Sequence, residues 1–250
     1  MKIFPDLACR WVRSILCQVV LFGCLAWPES CNPVYFTGEG TFYGYAGGGN
    51  CSYPFPPEPA YTAAMNLPQY DSSATCGACV EVTGERGTLV VTIEDLCPEC
   101  KFGDLDLSIN AFPKIGNPMD GRIPIRWRIV PCPVSAPISL YIMEGSSAFW
   151  TAVQVRNSRY PIASCEISVA GIYQPVHREM YNFFLMERGM GPGPYDFRIT
   201  DMYGHVVEEK GVPLLITTPI EGKGQFEVCG TSALRVQPAH SFLQSDPSKF

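Results

Sequence analysis

Short runs of alternating or continuous apolar residues recur along the chain, separated by Gly and Pro. Leu89–Ile93, Ile123–Val130, Ile138–Ile142, Thr151–Val155, Ile167–Val169, Tyr195–Ile199 and Gln225–Val228 are rich in β-branched and aromatic side chains and too short for amphipathic helices. They predict an all-β chain with one helical turn, between Ser108 and Ile115. Pro124 cannot donate to a ladder, so its run is expected to be an edge strand or to carry a bulge. Arg126 and Arg128, two apart in the same run, are expected on one solvated sheet face.

The ends differ from this pattern. Lys2, Arg10 and Arg13 precede an almost wholly apolar stretch from Ser14 to Ala26, which reads as a secretory leader over residues 1–30. The stretch is shorter than the ~20 apolar residues that span a bilayer, so a retained anchor is the lesser alternative. The expectation is an exported, extracellular protein with no membrane association after leader removal. Pro131, Pro133 and Pro137 form a stiff connection. They divide a cysteine-rich first unit, 31–135, from a second, 136–230, that holds only Cys165 and Cys229; residues 231–250 read as a flexible tail.

Without residues 1–30 the chain carries 15 basic and 22 acidic residues, a net charge of −7. Nucleic acid is therefore not an expected partner, because a phosphate-binding surface is locally basic. Acidic polymers should be repelled, which favours neutral glycans. Nine cysteines remain after the leader, at 31, 51, 76, 79, 97, 100, 132, 165 and 229. Cys76-Gly-Ala-Cys79 and Cys97-Pro-Glu-Cys100 also fit the spacing of a four-cysteine zinc site. Export favours disulfides instead, so no metal or other cofactor is expected. The odd count leaves one unpaired thiol, assigned to Cys31. Asn50-Cys51-Ser52 is an N-glycosylation sequon, placed where a disulfide at Cys51 would hinder its use.

The first unit contains no histidine, so Ser-His-Asp and Cys-His catalysis within it are excluded. Carboxylates remain. Asp95 ends a predicted strand, and in Gly103-Asp-Leu-Asp-Leu-Ser108 an extended chain puts Asp104 and Asp106 on one face with Leu105 and Leu107 on the other. Two converging carboxylates are the minimum for glycoside hydrolysis. The equally open structural reading has Asp104 capping a turn and Asp106 accepting buried backbone hydrogen bonds.

Gly38-Glu-Gly-Thr-Phe-Tyr-Gly44, Asp95, Gly103–Ser108, Ile115–Val130 and Glu144–Asn157 together, in order and spacing, resemble the microbial expansins over nearly the whole mature length. The resemblance implies a six-stranded double-psi β-barrel followed by an immunoglobulin-like β-sandwich that binds carbohydrate. It implies that Thr41, Asp95 and Asp106 are polar groove residues, with Asp106 where related endoglucanases keep their general acid. It also places Phe149, Trp150 and Tyr181 on an aromatic platform. This chain departs from bacterial relatives in carrying Cys97 for a groove tyrosine and Phe149 for a tryptophan. The added cysteines look like those of plant expansins and fungal loosenin-like proteins. By that likeness the expected pairs are Cys51–Cys76, Cys79–Cys132, Cys97–Cys100 and Cys165–Cys229.

The implied activity is non-hydrolytic loosening of cell walls by a monomer that binds cellulose and related neutral wall glycans. Asp104 and Glu94 stand as the conceivable second carboxylates of a true hydrolase. Two alternatives therefore stay open: a glycoside hydrolase or lytic enzyme on a related barrel, and a non-catalytic wall-binding or defence-related protein.

Overall fold

The computed structural model describes residues 33–44, 47–54 and 61–229; the leader, Cys31 and the tail lie outside them. Six strands form the first unit: β1 (Phe36–Tyr43), β2 (Thr62–Asn66), β3 (Cys79–Gly84), β4 (Gly87–Cys97), β5 (Leu105–Ser108) and β6 (Ile123–Val130). They close into a barrel in the order β1-β5-β2-β4-β3-β6. β1 runs parallel to β5, and β2 parallel to β4, the remaining neighbours being antiparallel. Alternate residues fill the interior: Val80 and Val82, Val91 and Ile93, Leu105 and Leu107, and Ile123, Ile125 and Trp127 form one cluster with Phe112 and Ile115.

Closure leaves β6 with a neighbour on each side, so it is not an edge strand. Pro124 is tolerated because pairing with β3 ends at Arg126, leaving Pro124 opposite Glu39 on one side only. Arg126 and Arg128 share the outer face as expected, with the Arg126 guanidinium stacked 3.7 Å over the Tyr35 ring. The expected helical turn is α2 (Phe112–Ile115). A further turn, α1 (Leu67–Tyr70), starts where Pro68 fixes the first turn and the Asn66 side chain accepts from the Gln69 N–H.

The second unit is a sandwich. Its strands are β7 (Ser139–Ile142), β8 (Thr151–Arg156), β9 (Ile162–Val169), β10 (Ile172–Pro175), β11 (His177–Arg178), β12 (Phe184–Met186), β13 (Tyr195–Asp201), β14 (Val206–Val212) and β15 (Ile220–Glu221). One sheet has the order β10-β9-β13-β14 and the other β11-β12-β8-β7-β15. Between them lies a second core that includes Leu140, Val153, Val155, Phe184, Phe197 and Ile199. Thr151 through Val155 is buried at every position, not at alternate ones, because the outer face of β8 is covered by the barrel. There Gln154 Nε2 donates to Cys51 O at 2.9 Å, and Asn182 Nδ2 reaches the same carbonyl at 3.2 Å.

Two expectations fail in this half. Gln225–Val228 is not a strand. β15 already occupies the free edge of β7, and the Gln225 amide instead bonds Ala136 O and Asn157 O while accepting from Arg159 N, which pins the segment as a loop with Phe226 buried. The Cys165–Cys229 bridge does not form: Cys165 is a free thiol that points into the sandwich core from β9. Cys229, at the margin of that core, is disulfide-bonded without it. The other three expected pairs are present, Cys51–Cys76, Cys79–Cys132 and Cys97–Cys100.

Candidate functional site

The parallel pairing of β1 with β5 puts Thr41 directly opposite Asp106. The Thr41 hydroxyl donates to Asp106 Oδ1 at 2.5 Å. Below this pair the strands are pinned at the Gly38–Gly103 crossing, where a Cβ on Gly38 would lie 2.3 Å from Gly103 C and O. Gly103 adopts φ +93°, and its carbonyl accepts from the buried Trp127 Nε1 at 2.7 Å. A buried tryptophan thus fixes the loop that delivers Asp104 and Asp106.

The two aspartates then part company. Asp104 is buried and accepts from Glu39 N at 2.8 Å and Lys101 N at 3.1 Å, the turn-capping role that was one of its two readings. Asp106 accepts no backbone bond from the described residues and is partly exposed. Burial pushes its carboxyl above the usual aspartate value against the opposing pull of the Thr41 hydrogen bond, with Glu99 and Asp95 adding to the rise and Arg122 opposing it.

Asp95 lies near the end of β4. Its carboxylate accepts from Asn50 N at 2.7 Å, Leu96 N at 2.8 Å and the Tyr43 hydroxyl at 3.3 Å. Gly49 lets this loop approach, since a Cβ there would sit 2.4 Å from Glu94 O.

Two depressions adjoin along the Cys97–Cys100 turn. One, of about 240 Å³, is lined by Thr41, Asp104, Asp106, Glu99, Lys101 and Arg122 with Glu39 and the disulfide. The other, of about 420 Å³, is lined by Tyr43, Asn50, Asp95, Leu96, Pro98 and the glycines between Gly44 and Gly49. Together they make a shallow acidic channel rich in hydrogen-bonding groups. Cys97 takes no part as a polar contact; it is buried in its disulfide and forms wall. Glu94 is excluded from this channel. It faces the other way, into a cleft between barrel and sandwich that it shares with Tyr53 and Arg156.

Sequence reasoning missed Tyr43, Asn50, Glu99 and the Arg122–Glu39 ion pair at 2.5 Å on the rim. Tyr43 could have been found, since it stands two residues from Thr41 on the same strand and so shares its face. Glu39, two residues before Thr41 on the same strand, carried the same signal, and Glu99 lies within the Cys97–Cys100 turn close to Asp95; Asn50 and Arg122 come from loops remote in sequence and carry none.

On the sandwich, Phe149 is 83% exposed and sits in the turn that a Ser147–Trp150 bridge closes. Gly189 packs beneath it, with room for no Cβ: one would lie 2.2 Å from Ala148 O. Trp150 is partly exposed. Tyr181, also partly exposed, packs its ring 6.0 Å from that of Phe183, which in turn meets Tyr141 at 6.3 Å. The aromatic triplet is therefore neither wholly core nor a free-standing ladder.

Residues 62–127 match a family model described as lytic transglycolase, within the barrel. Expansin-YoaJ of Bacillus subtilis is 39% identical over 170 residues, covering 66% of this chain and 72% of its own. Expansin-like protein 1 of Dictyostelium discoideum is 27% identical over 202 residues, covering 75% and 68%. A mutant of the Clavibacter michiganensis expansin, solved in complex with cellohexaose, superposes with a TM-score of 0.73 at 31% identity, over 78% of this chain and 98% of that one. With its closed six-stranded barrel and following sandwich, this chain belongs to the expansin family.

Proposed function

We propose that this protein is exported as a monomer and loosens cell walls without cutting their polymers, binding cellulose and related neutral β-glucans. In this reading residues 31–135 form the groove-bearing barrel domain and 136–230 the carbohydrate-binding sandwich. Phe149, Trp150 and Tyr181 offer ring faces to the C–H faces of successive sugars. Thr41, Asp95 and Asp106 take hydroxyls of a chain laid along the channel. Each bond made there replaces one between that chain and its neighbour in the wall, so the lattice loosens while every glycosidic bond stays whole. That a relative was crystallised with cellohexaose supports the ligand class.

The observation that carries the non-hydrolytic reading is the fate of the second carboxylate. Inverting hydrolysis needs one held ~6.5–9.5 Å from the acid to activate water. Asp104 is tied to two backbone N–H groups and Glu94 faces another cleft. Glu99 does share the depression with Asp106, but as an exposed side chain on the disulfide turn that no side chain among the described residues holds in place.

The Asp106→Asn protein, tested for creep of heat-killed plant wall under constant load and for retention on cellulose, should lose creep and keep retention. Creep that survives the substitution would remove Asp106 from the loosening mechanism, and retention without creep in the wild type would leave only a wall-binding role. The lytic reading draws support from the family model matched and from the raised carboxyl of Asp106. It predicts new reducing ends from soluble β-glucan in proportion to added protein, where the loosening reading predicts none.

A further inference from the structure

Asn50 touches both halves of the proposed binding face. Its backbone N–H donates to Asp95 Oδ1 at 2.7 Å, fixing a groove carboxylate. Its side-chain Nδ2 donates to Tyr70 OH and to Met180 O, each at 2.9 Å, across 130 residues of sequence in the second case. Tyr70 OH, accepting from Asn50, donates to the same Met180 carbonyl at 2.8 Å, so the three groups close a triangle. Met180 precedes Tyr181, a platform ring. The barrel side of this strut is rigid: Tyr70 is fully buried, and Asn50 adjoins the Cys51–Cys76 disulfide.

We propose that Asn50 is a positioning residue that holds the barrel channel and the sandwich platform in one register, so that a single glucan engages both. The inference rests on the reading that channel and platform both bind glucan. Joining two weak subsites rigidly makes the second contact intramolecular, and affinity then climbs with ligand length far more steeply than either site alone allows. Loosening the strut removes that gain and leaves Asp95 in place, because its contact uses the backbone of Asn50 and survives truncation of the side chain.

The same geometry bears on the sequon. Both amide hydrogens of Asn50 are engaged, and an N-linked glycan would replace one of them. A glycan there breaks the triangle and stands where the chain would pass from channel to platform, so Asn50 in the working protein is unmodified.

The test is affinity for cello-oligosaccharides of increasing length, by calorimetry, for wild type, Asn50→Ala and Tyr70→Phe. The second variant removes the bridging hydroxyl and keeps the buried ring, which guards against a folding defect in the first. A Ser52→Ala protein destroys the sequon and spares the strut. Wild type and Ser52→Ala should gain affinity steeply with length. Tyr70→Phe, whose residue lines neither depression, should bind the shortest ligands like wild type, and both strut variants should fall about tenfold behind on the longest. Equal length dependence in all four proteins overturns the proposal and leaves the glucan-binding reading standing. Failure of wild type to bind any of the ligands takes down that reading and the proposal with it. Peptide mass spectrometry supplies an independent check: a glycosylated Asn50 in protein whose length gain is intact also overturns the proposal.

Discussion

Thr41 and Asp106 lie 65 residues apart in sequence and meet at 2.5 Å because β1 and β5 run parallel in register. A parallel pair cannot be made by a hairpin, so the whole circuit of β2, β3 and β4 is needed to bring hydroxyl and carboxylate together. The bond couples the protonation of Asp106 to the barrel's closure.

Because burial raises the Asp106 value in the fold, its contribution to stability is complete below the ordinary aspartate value of ~3.9 and is lost as pH rises through its own, higher value. An Asp106→Asn protein never carries the charge. Its melting temperature should therefore improve relative to wild type as pH goes from about 3 to about 7, and a gap that does not vary with pH would contradict the desolvation account. Thr41→Val, which deletes the opposing hydrogen bond, should raise the Asp106 value further, readable by carbon NMR of the carboxyl.

The platform should respond to ring area. Phe149→Ala is expected to weaken retention on cellulose by about 0.5–1.5 kcal/mol, roughly two- to tenfold, and Trp150→Ala by at least as much. Phe149→Trp should tighten it. Because Phe149 is 83% exposed, thermal stability should barely move in its variants, and a large drop in melting temperature would place the ring in the core.

The disulfides should rank by the loops they close, with sequence separations of 53 for Cys79–Cys132, 25 for Cys51–Cys76 and 3 for Cys97–Cys100. Loop entropy gives about 4, about 3.5 and about 2 kcal/mol in that order when each pair is replaced by alanine. Denaturant midpoints would show the ranking. The Cys97–Cys100 double variant should hurt wall activity out of proportion to its stability loss, since that turn walls the channel.

Cys165 should be chemically silent in the native protein. Burial pushes its thiol up to about 12, and the thiolate is the reactive form. Alkylating reagent at neutral pH should label it only under unfolding conditions, and rapid native labelling would show that the sandwich core opens.

Several features were legible in the sequence for plain reasons. The strand runs announce themselves by β-branched composition and alternation, and Leu105 and Leu107 fill the barrel because a period of two forces them to one side once Asp106 is on the other. Asp104 and Asp106 could not be told apart that way. The same alternation places both on one face, and only the positions of the Glu39 and Lys101 amides make one a turn clamp and leave the other in the channel.

Other features were beyond local reading. Gln225–Val228 has strand composition, but a strand also needs a free edge, and β15 had taken it. The expected partner of Cys229 failed because sharing one core does not bring two thiols into bonding geometry: both border the sandwich core, yet Cys165 is free and Cys229 is bonded without it. The continuous burial of β8 came from the barrel docked on its outer face, a contact that no window along the chain contains.

The amino-acid order by itself determined an all-β chain and its likeness to expansins, since these follow from side-chain period, spacing and motif. Which carboxylate faces the channel, which thiol stays free and how Asn50 spans from Asp95 to Met180 were decided only by the tertiary structure. Those are distances between residues far apart in sequence, and barrel closure and the docking of barrel on sandwich set them.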